Sequence, residues 1–286
     1  MPIKFYSPLR YPGGKSKVAK FVATICEKNN INGHYVEPYA GGASVALYLL
    51  INGNVKKITI NDLDRGIYAF WYSILNDTEK FCRKIYNTEI TVKNWKKFKE
   101  ISSNSETADL FDLGFATFFL NRTNHSGIID GGVIGGEDQS GKYKIDCRFN
   151  KKTLIKRIRL IAKHRNDIDL FNLDAMALVR KIQKQANNDS TIFYFDPPYY
   201  FKGPSLYLSH YKQGDHKKVS KQIKKIKNSK WIVSYDDATK IKKLYRGFKT
   251  IEYSFLHVAR TVKKANEVLF FSENLEVDLS QNPVKI

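Results

Sequence analysis

The feature that most constrains the fold is a short, aromatic-rich run over residues 191–195 that leads directly into Asp196-Pro197-Pro198-Tyr199. A continuous apolar run of this length is typical of a strand buried on both faces of a sheet. Because two prolines cannot extend that strand, the chain must turn out of the sheet here. Ligands of open α/β sheets bind at the carboxyl edge, where such strands end. We therefore expect the Asp196 carboxylate, the Pro197 carbonyl and the Tyr199 ring to form a site that can hold a planar, amine-bearing ring.

Two other interpretations of this tetrapeptide are open from the sequence. Residues 197–200 match the Pro-Pro-x-Tyr ligand of WW domains, although such ligands occur in exposed, proline-rich segments rather than after a hydrophobic strand. Asp-Pro is also a common choice at an ordinary strand-ending turn. The tetrapeptide alone does not decide between a functional site and a simple turn.

Further short apolar runs alternate with amphipathic stretches, and this alternation predicts an α/β fold with a doubly wound sheet. The predicted strands lie near residues 35–37, 57–61, 169–173, 191–195, 231–235, 250–255 and 267–271. Between about residues 77 and 150 the alternation gives way to helical periodicity and then to a glycine-rich polar loop at 127–141. We therefore predict one main domain, residues 1–76 plus 151–286, that carries an inserted, mainly helical region at residues 77–150.

The chain is strongly basic, with 48 Lys and Arg residues against 28 Asp and Glu residues, a net charge of +20. This excess indicates a polyanionic partner, most economically nucleic acid, although part of it is an ordinary solvated lysine surface. No apolar run approaches the length of a membrane span, and the amino terminus lacks an apolar signal core, so we predict a cytoplasmic protein without a membrane partner. The scattered cysteines and histidines predict neither a disulfide framework nor a metal site.

A second informative segment, residues 37–44 with the sequence EPYAGGAS, has the order strand, glycine turn, helix. Glycines in such a turn let the backbone approach a ligand, and the helix amino terminus favours polar or anionic groups. Asp62 follows Gly41 by about 20 residues at the end of the next strand, where Rossmann-type units bind ribose hydroxyls. This spacing predicts an adenosine-bearing cofactor, whereas the absence of G-x-G-x-x-G gives no support to a pyrophosphate site.

Residues 10–16, with the sequence RYPGGKS, end like a phosphate-binding loop. That motif requires glycine at position 9, where this chain has Leu9, and no strand leads into it. Two interpretations remain, a glycine turn that brings Tyr11 and Lys15 to the mouth of a site and a simple capped helix start.

The insertion contains Asn121-Arg122-Thr123-Asn124, whose side chains are able to read base edges or phosphates. A glycine-rich surface loop after a helix that ends at Asn121 is an equally good interpretation of the same residues.

In this order, the segments resemble the Dam-type DNA adenine-N6 methyltransferases over nearly the whole chain. The residues that carry the resemblance are 11–15 (YPGGK), 37–42 (EPYAGG), 61–62 (ND), 121–124 (NRTN) and 196–199 (DPPY), with Tyr207, Leu208, Tyr211, His216, 231–236 and 266–269 in addition. One departure concerns the glycine turn, where the family often has glycine at the position of Ala43 and this chain has it at Gly42.

The resemblance implies a Rossmann-like methyltransferase that uses S-adenosylmethionine (S-adenosyl-L-methionine) to methylate N6 of a flipped-out adenine at a specific site in double-stranded DNA. It implies that residues 1–76 plus 151–286 bind the cofactor and catalyse, that residues 77–150 recognise the target, and that a cognate restriction endonuclease could act separately. The implied catalytic residues are Asp196, Pro197, Pro198 and Tyr199. The implied cofactor-binding residues are Tyr11, Lys15, Glu37, Gly41, Asp62, Asp174 and Asp196, and the implied DNA-binding residues are Asn121, Arg122 and Asn124.

Related activities remain as alternatives. Cytosine-N4 methyltransferases more often have serine at the position of Asp196, and protein-glutamine methyltransferases have asparagine there, so Asp196 favours adenine. RNA adenine methylation and a non-catalytic, basic DNA-binding regulator also stay open.

Overall fold

A computed structural model describes residues 5–10, 15–184, 190–200, 213–258 and 262–285 of the chain. Its strands are β1 (His34–Glu37), β2 (Lys57–Asn61), β3 (Ile168–Phe171), β4 (Thr191–Phe195), β5 (Lys230–Asp236), β6 (Lys249–Val258) and β7 (Val262–Phe271). Its α-helices, numbered within the described residues, are α1 (Ala19–Lys28), α2 (Ser44–Ile51), α3 (Arg65–Asn76), α4 (Thr78–Asn87), α5 (Val92–Ser103), α6 (Leu110–Thr123), α7 (Lys151–Ala162), α8 (Ala175–Gln183), α9 (Gln213–Ile223) and α10 (Thr239–Leu244). All seven predicted strands are present, with ends that differ by a few residues, and the prediction of an α/β fold is confirmed.

The strands form one sheet in the order β3-β2-β1-β4-β5-β7-β6. β1 pairs in parallel with both β2 and β4, and β7 is antiparallel to both of its neighbours, β5 and β6. After β1, the chain adds β2 and β3 on one side of β1 and then crosses to place β4 on the other side. The carboxyl ends of β1 and β4 therefore form a topological switch point. Ligands of doubly wound folds bind outside the carboxyl ends of the strands at this point.

Helices cover both faces of the sheet, because successive side chains of each buried strand point to opposite faces. Tyr35 and Tyr194 belong to the apolar cluster that also holds α1, α2 and α3. Val36, Phe193 and Phe195 belong to the opposite cluster, which holds α8, α9 and α10. The continuous apolar run of β4 is thus explained by burial on both sides, as the sequence predicted.

In the predicted insertion, helices α4 and α6 pack on α3, and α5 packs on α6. Phe118 of α6 stacks on Phe70 of α3 with 5.7 Å between ring centroids, and Phe98 of α5 lies 4.7 Å from Phe119. Gly114 permits this packing, since a Cβ atom there would lie 2.4 Å from the Ala69 carbonyl oxygen. The insertion and the first half of the sheet domain therefore share one apolar core.

None of the helices in the described ranges is both long and apolar enough to cross a membrane.

Candidate functional site

Three strand ends meet at the carboxyl edge of the sheet, and Asn61 holds them together. Its amide nitrogen donates to the carbonyl oxygens of Pro38 and Leu173, each at 2.9 Å, and its amide oxygen accepts from the Leu173 N–H at 2.9 Å. Asn61 is 1% exposed, so water does not replace these bonds. The tips of β1, β2 and β3 are fixed relative to one another by this single side chain.

We predict that Asn61→Ala destabilises the fold by about 2–4 kcal/mol, because it leaves buried backbone groups of Pro38 and Leu173 without partners. Denaturant unfolding monitored by circular dichroism gives the free energy of unfolding. Asn104→Ala is the matched control, because the exposed Asn104 side chain donates to the Glu100 carbonyl at the end of the same helix. An Asn61→Ala protein as stable as the Asn104→Ala protein would contradict this role.

The glycine turn after β1 is tied to Asp62. Gly41 has a φ of 45°, its N–H donates to Asp62 Oδ2 at 2.9 Å, and its carbonyl accepts from Trp71 Nε1 at 2.9 Å. Burial and the neighbouring Asp64 raise the pKa of the Asp62 carboxyl to about 7, against hydrogen bonds from backbone N–H groups. A half-buried carboxylate therefore lies directly beside a backbone turn that can approach a ligand closely.

Ala43, the position where the family often has glycine, takes the left-handed conformation with a φ of 47°. A non-glycine residue there costs about 1–2 kcal/mol. The turn nevertheless forms, and Ala43 directly precedes α2 with its methyl group buried. The departure from the family pattern thus leaves the turn in place.

Glu37 ends β1, but its carboxyl points toward the start of α2. Oε1 accepts from the Tyr35 hydroxyl at 2.9 Å and from the Ala46 N–H at 3.2 Å. Burial raises the pKa of Glu37 to about 8 against these two bonds. This arrangement joins β1 to the helix after the glycine turn.

Asp196 lies at the end of β4, as predicted, and its side chain is 22% exposed. Its Oδ1 is 3.2 Å from the Nζ of Lys15. Burial raises the pKa of Asp196 to about 7, the Lys15 ammonium opposes this rise, and Glu267 adds to it. The tetrapeptide therefore presents a carboxylate that still faces solvent in part and ionises near neutral pH.

Lys15 links Asp196 to two further side chains and is itself only 6% exposed. Its Nζ donates to the Tyr199 hydroxyl at 2.6 Å and to Glu267 Oε1 at 2.9 Å. Burial alone would lower the pKa of Lys15, but Asp196 and Glu267 outweigh it and the pKa is raised. The structure thus brings together two segments that are far apart in the sequence, the start of the chain and residues 196–199.

Pro197 and Tyr199 are buried, while Pro198 is half-buried. The Tyr199 hydroxyl donates to Glu267 Oε1. Asp236, at the end of β5, accepts from the Tyr200 N–H at 2.8 Å and so fixes the chain just after the tetrapeptide. These contacts hold the turn in one conformation.

Asp174 lies apart from this buried group. It is exposed and caps α8, where its Oδ1 accepts from the N–H groups of Met176 and Ala177 at 3.0 Å each. Its proposed contact with the cofactor adenine stays a prediction.

Asn121 and Asn124 use their amide groups within the protein and are fully buried. Asn121 accepts from the Arg10 N–H at 2.7 Å and donates to the Arg10 and Gly127 carbonyls. Asn124 accepts from Trp95 Nε1 at 2.6 Å and donates to two loop carbonyls. In this arrangement both residues position the loop after α6, and neither offers a free amide to a base edge.

Arg122 belongs to a cluster of guanidinium groups with Arg10, Arg148 and Arg157. It donates through Nε to the Arg148 carbonyl at 2.8 Å, and burial, with the positive charges of these neighbours, lowers the pKa of Arg122 to about 9. Within the part of the chain that the structure describes, no carboxylate forms an ion pair with these four arginines. The cluster therefore favours an anion supplied from outside the protein.

The glycine-rich loop borders a cavity of about 770 Å³ beside this cluster. Its lining includes Arg10, Trp95, His125 and Arg148. Arg10 lies five positions before Lys15 in the sequence.

Several predicted residues fall outside the described ranges. These are Tyr11 of the predicted cofactor site and Tyr207, Leu208 and Tyr211 of the wider resemblance.

Sequence reasoning assigned no role to Asn61, Asp236 or Glu267, although each lies in a segment that was noticed. Two positions were a usable signal, Asp236 at the end of β5 and Glu267 at the start of the predicted strand 267–271, although Glu267 lies in the middle of β7. The pairing of Asp236 with Glu267 could not be predicted, because it depends on the antiparallel placement of β7 beside β5.

Comparison with known proteins adds two findings. The family model described as D12 class N6 adenine-specific DNA methyltransferase matches residues 11–260. The Type II methyltransferase M.MjaIII of Methanocaldococcus jannaschii is 23% identical over 211 residues, which cover 67% of this chain and 68% of that protein.

Proposed function

We propose that this chain, which belongs to the D12 class N6 adenine-specific DNA methyltransferases, methylates adenine in DNA with S-adenosylmethionine as donor and Asp196 as the central catalytic group. The observation that carries the proposal is the placement of the tetrapeptide at the switch point, with a partly exposed Asp196 carboxylate held by a buried Lys15.

The residues around the glycine turn fit the proposed cofactor. Asp62 is a half-buried carboxylate whose Oδ2 already accepts one N–H, from Gly41, and carboxylates in this position suit a ribose diol. We propose that Gly41 and Asp62 hold the cofactor, with Lys15 at the side of the target base. Glu37 supports this site by fixing the start of α2. When bound, S-adenosylmethionine supplies an electrophilic methyl group.

The chain's own groups then act on the target amine. The N6 lone pair of adenine is delocalised into the ring, and hydrogen bonds from the two N6 hydrogens to the Asp196 carboxylate and the Pro197 carbonyl favour a tetrahedral, nucleophilic nitrogen. The negative charge of Asp196 also stabilises the positive charge that develops on N6 in the transition state. Because the cationic amine loses its proton readily, a strong general base is unnecessary.

The target adenine must leave the duplex to reach Asp196, which costs a few kcal/mol of unstacking. The predicted stacking partner, Tyr199, is 7% exposed and has its hydroxyl anchored to Glu267. We propose Tyr199 as an aromatic wall of the base site, with its hydroxyl fixed by Glu267 and the Lys15 ammonium 4.8 Å from its ring centroid.

We propose that residues 77–150 contribute to DNA recognition through Arg122 and Arg148, in a cluster completed by Arg10 and Arg157 beside the cavity, rather than through Asn121 and Asn124. Guanidinium groups pair well with phosphates, and Arg10, Arg122, Arg148 and Arg157 have no acidic partner among the described residues. A separately acting restriction endonuclease and a cytoplasmic location, both predicted from the sequence, belong to this proposal as well.

Nucleoside analysis tests the proposal. Unmethylated duplex DNA and RNA of the same sequence are incubated with the protein and S-adenosylmethionine, digested, and analysed by mass spectrometry. We expect N6-methyladenine from DNA only. N4-methylcytosine, or N6-methyladenine from RNA alone, would contradict the assigned substrate.

Activity should depend on the ionisation of Asp196. Because the pKa of this carboxyl is about 7 and the ionised form accepts the N6 hydrogens, activity is lost as pH falls through this value. We expect kcat/KM at pH 6 to be about a tenth of its value at pH 8. Initial rates at fixed ionic strength, with circular dichroism to verify folding at each pH, measure this profile. A flat profile between pH 6 and pH 8 would contradict it.

A further inference from the structure

Glu267 occupies the centre of the buried hydrogen-bond network at the site, and nothing in the proposed reaction uses it so far. Its Oε1 accepts from Lys15 Nζ at 2.9 Å and from the Tyr199 hydroxyl, and its Oε2 accepts from the Tyr253 hydroxyl. In the sheet, Glu267 of β7 lies opposite Asp236 of β5 and opposite Tyr253 of β6. The β6–β7 hairpin thus brings a carboxylate to the tetrapeptide from the far side of the sheet.

Burying these charged groups costs free energy and is a poor means of stabilising the fold. Each buried charge loses several kcal/mol of hydration, which one partner rarely repays in full. Here two carboxyl groups, Asp196 and Glu267, share the single ammonium of Lys15, which cannot neutralise both when both are ionised. Buried, incompletely neutralised charge of this kind is characteristic of functional sites.

The distances show how the ammonium is shared. Lys15 Nζ lies 2.9 Å from Glu267 and 3.2 Å from Asp196, so the stronger contact is to the carboxylate that is 2% exposed. The Tyr199 hydroxyl also donates to Glu267 and not to Asp196. Glu267 therefore takes the Tyr199 hydroxyl hydrogen and the shorter contact of the ammonium, while Lys15 stays within ion-pair distance of Asp196 Oδ1.

We propose that Glu267 is a positioning residue for methyl transfer, which holds the Lys15 ammonium and the Tyr199 hydroxyl so that the Asp196 carboxylate stays available to the amine. This inference rests on the proposed function. Without the negative charge of Glu267, the ammonium turns fully to Asp196 and competes with the N6 hydrogens for its oxygens. Tyr253 supports Glu267 from the other side through its hydroxyl.

The charge of Glu267 also acts on the titration of Asp196. Among the described residues, the charged and titratable groups around Asp196 are Lys15 from the start of the chain, Glu37 of β1, Tyr194 of β4, Tyr199 of the tetrapeptide, Asp236 of β5 and Glu267 of β7. Burial is the main cause of the raised pKa of Asp196, and Glu267 adds to it. Removing that charge should therefore lower the pKa of Asp196.

Glu267→Gln keeps the shape of the side chain and removes its charge, which gives a test with two readouts. We expect kcat to fall by about tenfold or more, with KM for DNA and the Kd of S-adenosylmethionine within about threefold of wild type. We also expect the acid limb of the pH–rate profile to move to lower pH. A purely structural role would not move that limb.

Glu252→Gln is the matched control. Glu252 lies on β6 next to Tyr253, is 55% exposed at its side chain, and pairs only with Lys242 in the described chain. Its replacement should leave kcat and the pH profile unchanged.

Tyr253→Phe keeps the inference testable if Glu267→Gln does not fold. It removes one hydrogen bond to Glu267 Oε2 and should lower kcat by about threefold or more without a change in KM. A kcat within twofold of wild type in the folded variants, or a fall in kcat of Glu267→Gln with an unmoved acid limb, overturns the inference. Failure of the wild-type protein to form N6-methyladenine would instead overturn the proposed function, so the two failures are distinguishable.

Discussion

Asp196→Asn is expected to lower kcat for DNA methylation by about 10³-fold, because it removes the negative charge that stabilises the cationic amine. The carboxamide has nearly the shape of the carboxylate, and Lys15 keeps its bond to Glu267. The fold and the cofactor site should therefore persist. Single-turnover methylation of duplex DNA measures the chemical step, and calorimetry with S-adenosylmethionine measures cofactor affinity, which we expect to stay within about threefold.

Asp237→Asn is the control for this variant. Asp237 follows Asp236 at the end of β5 and pairs with Lys242 at 2.7 Å, away from the Lys15 network. It is expected to methylate DNA at the wild-type rate. Full activity of the Asp196→Asn protein, or equal losses in both variants, would contradict the assigned role of Asp196.

Asp62→Ala is expected to weaken S-adenosylmethionine binding by about 100-fold, which corresponds to roughly 2–3 kcal/mol for hydrogen bonds to a charged group. The variant loses the proposed ribose ligand and also the bond that holds the Gly41 N–H. Titration calorimetry measures the cofactor affinity directly, without DNA. Because the loss lies in binding, saturating cofactor should restore a large part of kcat.

Asp64→Ala separates this effect from general damage to the same loop. The Asp64 side chain caps α3, where it accepts from the N–H groups of Gly66 at 2.7 Å and Ile67 at 3.1 Å. Its loss should cost about 1 kcal/mol of stability, as for other helix caps, with unchanged cofactor affinity. Equal cofactor affinity of the Asp62→Ala and Asp64→Ala proteins would remove Asp62 from the cofactor site.

The strands of this fold could be predicted because each is a short apolar run with a clear end. The run at 191–195 is buried on both faces, and Pro197 and Pro198 end it where the sheet ends. The order of the strands was not available from such patterns. The antiparallel entry of β7 between β5 and β6 depends on long-range pairing, and this pairing is what brings Glu267 to Lys15.

The residue type alone does not show whether an asparagine recognises DNA or stabilises the fold. Asparagine can read a base edge or bond two backbone groups equally well, and only the fold shows that Asn121 clamps both backbone groups of Arg10. For the same reason the structural role of Asn61, whose amide joins three strand ends, could not be predicted from the sequence. Ala43 presents the converse case, since a left-handed backbone was unexpected for alanine but is maintained by the turn around it.

The electrostatic design of the site follows from its charges. Asp62 and Asp196 both have a pKa near 7 because burial disfavours their ionised forms. In the proposed reaction, the positively charged donor and the positive charge that develops on the amine would both favour those ionised forms.

Modification-sensitive long-read sequencing of unmethylated DNA tests the central claim most directly. The DNA is treated with S-adenosylmethionine and either the wild-type or the Asp196→Asn protein, under conditions in which both proteins bind the cofactor. We predict N6-methyladenine at one sequence motif with the wild-type protein and none with the variant. Methylation by both proteins would contradict the assignment of Asp196, and an unmodified DNA with the wild-type protein would contradict the proposed activity itself.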